Sequence, residues 1–204
     1  TFAFNNPTPQ PQQDKMAEQK TAPPEVDLQE KFKEEAKDPA MIAYLKSLGI
    51  DPDYVGPKDD DRRVVVKEFS IVFRDHPTPV TLKFDTPEDV KRAKKSAMVI
   101  KDGCHYKMRV TFRVQHNVVL GMQITNSVSK LGKTIAKDTE MLGTYAPSNE
   151  FKSLDIPRAP NQWHEAPKGI IAHGEYKAKM KFIDDDKAQH LNFEYTIKIA
   201  SKHA

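Results

Sequence analysis

Seven histidines, one cysteine and a run of three aspartates are the residues whose types could do chemistry in this 204-residue chain. A metal site needs three or four Cys, His or carboxylate ligands at characteristic spacings. His164, His173 and His190 instead fall at strand ends or loops, without Cys or His partners placed to join them. Cys104 lies on the apolar phase of a strand pattern, the setting of a small core residue rather than of an activated thiolate. No phosphate-binding glycine loop, paired-carboxylate site or triad order can be picked out. The residues therefore point away from an enzyme. The aspartates, Asp184, Asp185 and Asp186, open the stretch "DDDKAQHLNFEYTIKI". Taken alone they read as a solvated hairpin turn that terminates strand pairing.

The elements that must position these residues are mostly strands. From residue 62 onward apolar side chains recur every second position, the period of a chain whose successive side chains point to opposite faces. Phe69, Ile71 and Phe73 form one such set, and Val80, Leu82 and Phe84 a second. Cys104, Tyr106, Met108, Val110, Phe112 and Val114 oppose His105, Lys107, Arg109, Thr111, Arg113 and Gln115. Val118, Leu120, Met122 and Ile124 follow, then Tyr176, Ala178, Met180 and Phe182, then Leu191, Phe193, Tyr195, Ile197 and Ile199. Antiparallel strands that are each dry on one face predict two sheets packed face to face. Residues 61–204 are thus expected to form an all-β, immunoglobulin-like sandwich. The basic stripes Lys107, Arg109, Arg113 and Lys177, Lys179, Lys181 fit the wet side of such sheets better than a nucleic-acid interface.

Residues 1–60 differ in kind. They hold 7 Lys or Arg against 12 Asp or Glu, a net −5, while the remainder holds 25 against 17, a net +8. This acidic segment reads as a flexible arm. Its first fifteen residues are rich in Pro, Gln and Asn, precede a plausible native start at Met16, and are set aside from the fold. Short helices are expected near 27–37 and 39–48. In the second, Asp38 can cap, Pro39 suits the first turn and Gly49 the position after the end. Met41, Tyr44, Leu45 and Leu48 share one face there, to pack on the body or on a partner. A lone cysteine excludes an internal disulfide framework, and neither a signal-peptide pattern nor a long apolar run occurs, so the reading is a cytoplasmic protein.

Local words go further. "AMVIKDGCHYKMRVTFRV", "GMQI", "KLGKTIAKDTEMLGTYAP" and "EAPKGIIAHGEYKAKMKFIDDDKAQHLNFEYTIKI" resemble, in order, the Rho GDP-dissociation inhibitors. The resemblance runs from about Asp38 to about Lys198. It implies a chaperone, not an enzyme: a sandwich with a hydrophobic lipid pocket between its sheets, preceded by a flexible arm. The implied partner is a prenylated Rho/Rac-type small GTPase, bound 1:1, extracted from membranes and blocked in GDP release by the arm. Membrane contact is transient, no nucleic acid is bound, and there is no cofactor beyond the partner's isoprenoid.

Carried over by that resemblance, the pocket lining is Ile71, Met98, Tyr106, Val118, Ile171, Ala178, Phe193 and Tyr195. The GTPase contacts are Asp38 and Tyr44 at the switch regions, Glu165 toward the basic segment before the prenylated cysteine, and Asp185 and Asp186 toward a basic switch residue. Phe193 and Tyr195 stand where animal members carry tryptophans, implying a smaller or differently shaped pocket floor. The loop over 146–169, with the sole tryptophan, Trp163, is longer than the family pattern. The competing readings are a prenyl- or lipid-binding chaperone for a non-Rho cargo and an adhesion-type immunoglobulin domain. The latter is disfavoured by the missing cysteine pair.

Overall fold

The computed structural model describes residues 38–47, 53, 54 and 56–203; the helix expected near 27–37, and Leu48 and Gly49, lie outside them. Helix α1 (Pro39–Ser47) starts at Asp38, whose Oδ1 accepts the Ala40 N–H at 3.0 Å and so satisfies one of the donors a helix start leaves free.

The alternating stretches form strands β1 (Val64–Phe73), β2 (Val80–Lys83), β3 (Ala97–Lys101), β4 (His105–Val114), β5 (Val119–Lys130), β6 (Lys133–Tyr145), β7 (Lys152–Ile156), β8 (His164–Glu165), β9 (Gly174–Ile183) and β10 (Gln189–Ala200). One sheet runs β2-β1-β4-β7 with β8 beside β4, and the other runs β3-β10-β9-β5-β6. Their inner faces share one core, from Phe69, Ile71, Val110 and Phe112 on one side to Met122, Met180, Phe182 and Tyr195 on the other. The sandwich expected from the period of two is present.

The topology departs from the all-antiparallel expectation in one place. Between β2 and β3 the chain forms helix α2 (Pro87–Lys95), crosses to the other sheet and adds β3 parallel to β10. Thr86 caps α2 by accepting the Asp89 N–H at 3.1 Å, Pro87 fills the first turn, and Arg92, Lys94 and Lys95 close the last.

A second departure lies in β5. Val119 is buried and Leu120 is 43% exposed, so the inward phase before Met122 runs through Val119 rather than Val118 and Leu120. The register with β6 slips between Val119 and Met122, a bulge in which Gly121 takes a φ of 54°. A Cβ there would sit 2.1 Å from the Asp185 carboxylate, so only glycine fits.

The supposed wet face of β4 is covered. Lys107 is only 5% exposed because its Nζ donates to the carbonyls of Ala159 (2.9 Å) and Pro160 (3.2 Å) and lies 5.3 Å from the Trp163 ring. Arg109 makes a two-pronged contact with Asp155 at 2.6 and 3.0 Å, and Arg113 donates to Asn149 Oδ1 at 3.0 Å. The segment over 146–169, expected as a loop, instead supplies β7 and β8 to the same sheet: Arg109 and Asp155 are cross-strand neighbours, only the stretch with Ala159, Pro160 and Trp163 covers Lys107, and these cations are committed to intramolecular partners.

Candidate functional site

Five of the eight residues expected to line a pocket meet between the sheets. Ile71 on β1, Met98 on β3, Ala178 on β9, and Phe193 and Tyr195 on β10 are each no more than 3% exposed. Their packing is aromatic at the centre: Phe69 meets Tyr195 edge-on at 5.2 Å, and Phe84 meets Phe193 at 4.7 Å. Tyr195 lies opposite Ala178 in the β9–β10 register, and its hydroxyl reaches Asn126 Oδ1 on β5, the strand beyond β9, at 3.0 Å. The small Ala178 leaves room for that span. Burial pushes the Tyr195 phenol far above its ordinary pKa, so it acts as a neutral donor.

Asn126 also lines a cleft of about 200 Å³ between the sheets, together with Met108 and Ile156 on one side, Ile124 on the other, and Asp138, Thr139, Glu140 and His164 at its edge. Met108, Ile124 and Ile156 also belong to the common core, so the cleft borders the apolar interior, with the Tyr195–Asn126 hydrogen bond beside it. Tyr106 sits at the same edge, its ring 5.4 Å from that of His164. Desolvation pushes the Tyr106 phenol up to about 12 and lowers the His164 imidazole, whose Nε2 is buried without a hydrogen-bond partner.

The remaining expected lining residues lie elsewhere. Val118 precedes β5 half-buried, its carbonyl accepting from Arg63 at 2.9 Å, and Val119 takes the inward position beside it. Ile171, in a single 3-10 turn over Ile170–Ala172, is 94% exposed. Neither joins the interior cluster in this structure. Asn126 escaped the sequence reading, although it carries a signal as a polar residue on the inward phase of Met122 and Ile124, and His164 was weighed there only as a metal ligand.

The acidic run divides. Asp184 is buried rather than solvated, taking the Ala188 N–H at 2.8 Å, His190 Nε2 at 2.9 Å and Arg63 Nη1 at 3.7 Å. It closes the β9–β10 turn from inside. Asp185 and Asp186 are exposed, and neither forms an ion pair among the described residues. Glu165 is exposed with its carboxylate 2.5 Å from Lys168 Nζ, and that ammonium holds its carboxyl below the usual range. On α1, Tyr44 is 59% exposed and Met41 is exposed beside it, leaving this part of the apolar stripe without cover from the body. Cys104 packs half-buried against the core and its thiol is pushed up by desolvation, which disfavours the reactive thiolate. Among the described residues no group of three or more His, Cys, Asp or Glu could hold a metal ion.

The comparisons with known proteins agree on one family. The family model described as RHO protein GDP dissociation inhibitor matches residues 6–202. The chain belongs to the Rho GDP-dissociation inhibitor family. Among its relatives, a rho GDP-dissociation inhibitor 1 of Dictyostelium discoideum is 38% identical over 86% of this chain and 87% of its own length. The Rho GDP-dissociation inhibitor of Saccharomyces cerevisiae is 31% identical over 82% and 83%, and that of Schizosaccharomyces pombe 34% over 85% and 82%. Within the Rho GDP-dissociation inhibitor frame, the buried cluster, the cleft and the exposed acidic pair are the features a regulatory binding protein can use. Among the described residues no helix is long and apolar enough to cross a membrane.

Proposed function

We propose that this chain holds a prenylated Rho/Rac-type GTPase in a 1:1 complex, takes the isoprenoid between its two sheets and slows GDP release through its N-terminal arm, without catalysis. The observation that carries the reading is the inter-sheet cleft, which borders the apolar core directly through Met108, Ile124 and Ile156 and has the Tyr195–Asn126 hydrogen bond at its inner side. At about 200 Å³ the cleft is below the roughly 300–1,000 Å³ of pockets that bury a ligand. Loading therefore requires Tyr195 to give way so that the cleft joins the space around Ala178.

Burial of a half-covered isoprenoid of about 20 carbons contributes roughly 8 kcal/mol at about 0.8 kcal/mol per methylene. A bilayer offers nearly the same, so the tail alone leaves extraction near neutral. The surplus must come from contacts with the GTPase. Asp185 and Asp186, without ion pairs among the described residues, are suited to a cationic switch residue, and the exposed Tyr44, on the helix capped by Asp38, is an aromatic anchor for a switch loop. Glu165 can exchange Lys168 for the basic segment before the prenylated cysteine, competing with anionic lipid for the same charges.

The test is extraction. Vesicles carrying a geranylgeranylated, GDP-loaded Rho-type GTPase are mixed with the full chain, and the supernatant is assayed for GTPase and for GDP dissociation. Stoichiometric release with slowed dissociation is expected. Release of a prenylated non-Rho GTPase in preference would assign the cargo differently, and no release would overturn the reading.

A further inference from the structure

Three large apolar side chains project almost completely into solvent at one end of the β5–β6 hairpin: Leu131 is 99% exposed, Ile170 86% and Ile171 94%. Leu131 and Gly132 form the two-residue turn between β5 and β6, with φ of 51° and 78°. That left-handed pair favours Asn or Gly at its first position. A leucine there sacrifices both turn preference and burial.

The two apolar features are one patch. Lys130, at the start of the turn, sends its Nζ to the carbonyl of Ile171 at 3.2 Å, to that of His173 at 3.5 Å and to the Tyr176 hydroxyl at 3.1 Å, tying the hairpin tip to the 3-10 turn. The charge around it is cationic. Lys130 and Lys133 bracket Leu131, and Lys133 makes no ion pair among the described residues. Of the neighbouring carboxylates, Asp102 accepts the Gly169 N–H at 3.2 Å and lies 3.3 Å from His173, Glu165 is held by Lys168, and Glu175, exposed on β9, forms no ion pair among the described residues. Separate apolar tips set among lysines lack the concave shape and satisfied polar rim of a protein interface. They do suit a bilayer, which accepts apolar tips without shape complementarity and presents anionic headgroups to lysine.

We propose that this tip docks the protein on anionic membrane surfaces, with Leu131 and Ile170 entering the boundary between headgroups and acyl chains while Lys133 meets the headgroups. The proposal gives the extraction reading a place of contact with the donor membrane. It concerns the chain alone and is measured without any GTPase.

The experiment is flotation of the full chain with vesicles of phosphatidylcholine, with and without phosphatidylserine. The wild type is expected to float with phosphatidylserine vesicles and far less with phosphatidylcholine alone. The double variant Leu131→Ser, Ile170→Ser should lower the bound fraction at least about fivefold, and Lys133→Glu about as much. Both should melt as the wild type does, because the altered side chains are solvated. Ile171 is left unchanged so that its proposed place in the tail site is not disturbed. Flotation unaffected by the double variant, or no flotation of the wild type, would overturn the proposal. So would a dimer that the double variant disperses, which would make the patch a contact between two copies. Failure of flotation with extraction intact removes the docking tip and leaves the tail-binding reading standing.

Discussion

The hydroxyl of Tyr195 donates to Asn126 Oδ1 across β9 at 3.0 Å, with both side chains buried and Ala178 beneath the span. This is a polar contact between two residues that both face the core, and Asn126 also lines the open cleft.

Tyr195→Phe deletes the donor and leaves a buried carbonyl oxygen unpaired, so the lipid-free protein should lose about 1–3 kcal/mol of stability. A prenylated peptide should nevertheless bind several-fold more tightly, because loading no longer has to break a bond worth about 0.5–1.5 kcal/mol. Thermal melts and fluorescence titration of the same two proteins check both halves. Lower affinity in step with lower stability would remove the latch from the account.

The pocket implied by the family resemblance predicts that Ala178→Phe fills an open space with little effect on stability. The structure changes that expectation. Ala178 is covered by Tyr195 and its neighbours, and a phenyl ring there must displace packed side chains at a cost of about 1–3 kcal/mol. A melting temperature equal to that of the wild type would mean that the interior is looser than this packing implies.

The acidic run yields a contrast between adjacent residues. Asp184→Ala leaves Arg63 and His190 without their buried carboxylate and should cost about 3 kcal/mol. Asp186→Lys should change stability by less than about 0.5 kcal/mol yet weaken binding of the GTPase by about 1–3 kcal/mol, less so at high salt. Urea titrations paired with binding isotherms separate the two roles.

The pH dependence follows from the two buried phenols. Tyr106 is pushed up to about 12 and Tyr195 is also raised, both chiefly by desolvation. Their folded pKa values exceed the unfolded value of about 10, so their contribution is complete below that pH and is lost as pH rises toward the folded values. The melting temperature should therefore hold flat through mildly alkaline buffer and fall steeply above about pH 10. Tyr106→Phe should shallow that fall, read by melts alongside phenolate absorbance.

The strands with one dry face were legible because burial on one side imposes a period of two; β9 carries it almost unbroken, while in β1 a bulge between Val66 and Glu68 shifts the phase midway. Strand β6 was not, since as a largely exposed edge it buries only Leu142 and leaves no alternation. Helix α2 has a readable start in Thr86, Pro87 and Asp89, but with Ala93 alone buried its interior resembles a charged linker. The bulge at Gly121 shifted the inward phase from Val118 to Val119, a one-residue slip that periodicity cannot register from one strand alone. Lys107 and Asp184 were assigned to solvent by residue type. Their burial depends on the carbonyls of Ala159 and Pro160 and on His190 and Arg63, partners fixed only by tertiary structure. The residues expected in the pocket came from resemblance rather than from spacing, and the pattern could not tell a filled interior from one that opens.

The most direct test of tail binding is a titration of the full chain against one GDP-loaded Rho-type GTPase prepared with and without its geranylgeranyl group. If the isoprenoid enters between the sheets, removing it should weaken binding at least about a hundredfold, even after the weak contacts at Asp185, Asp186 and Tyr44 are retained. Affinities within about threefold of each other would mean that the tail stays outside the sandwich, and would contradict the account.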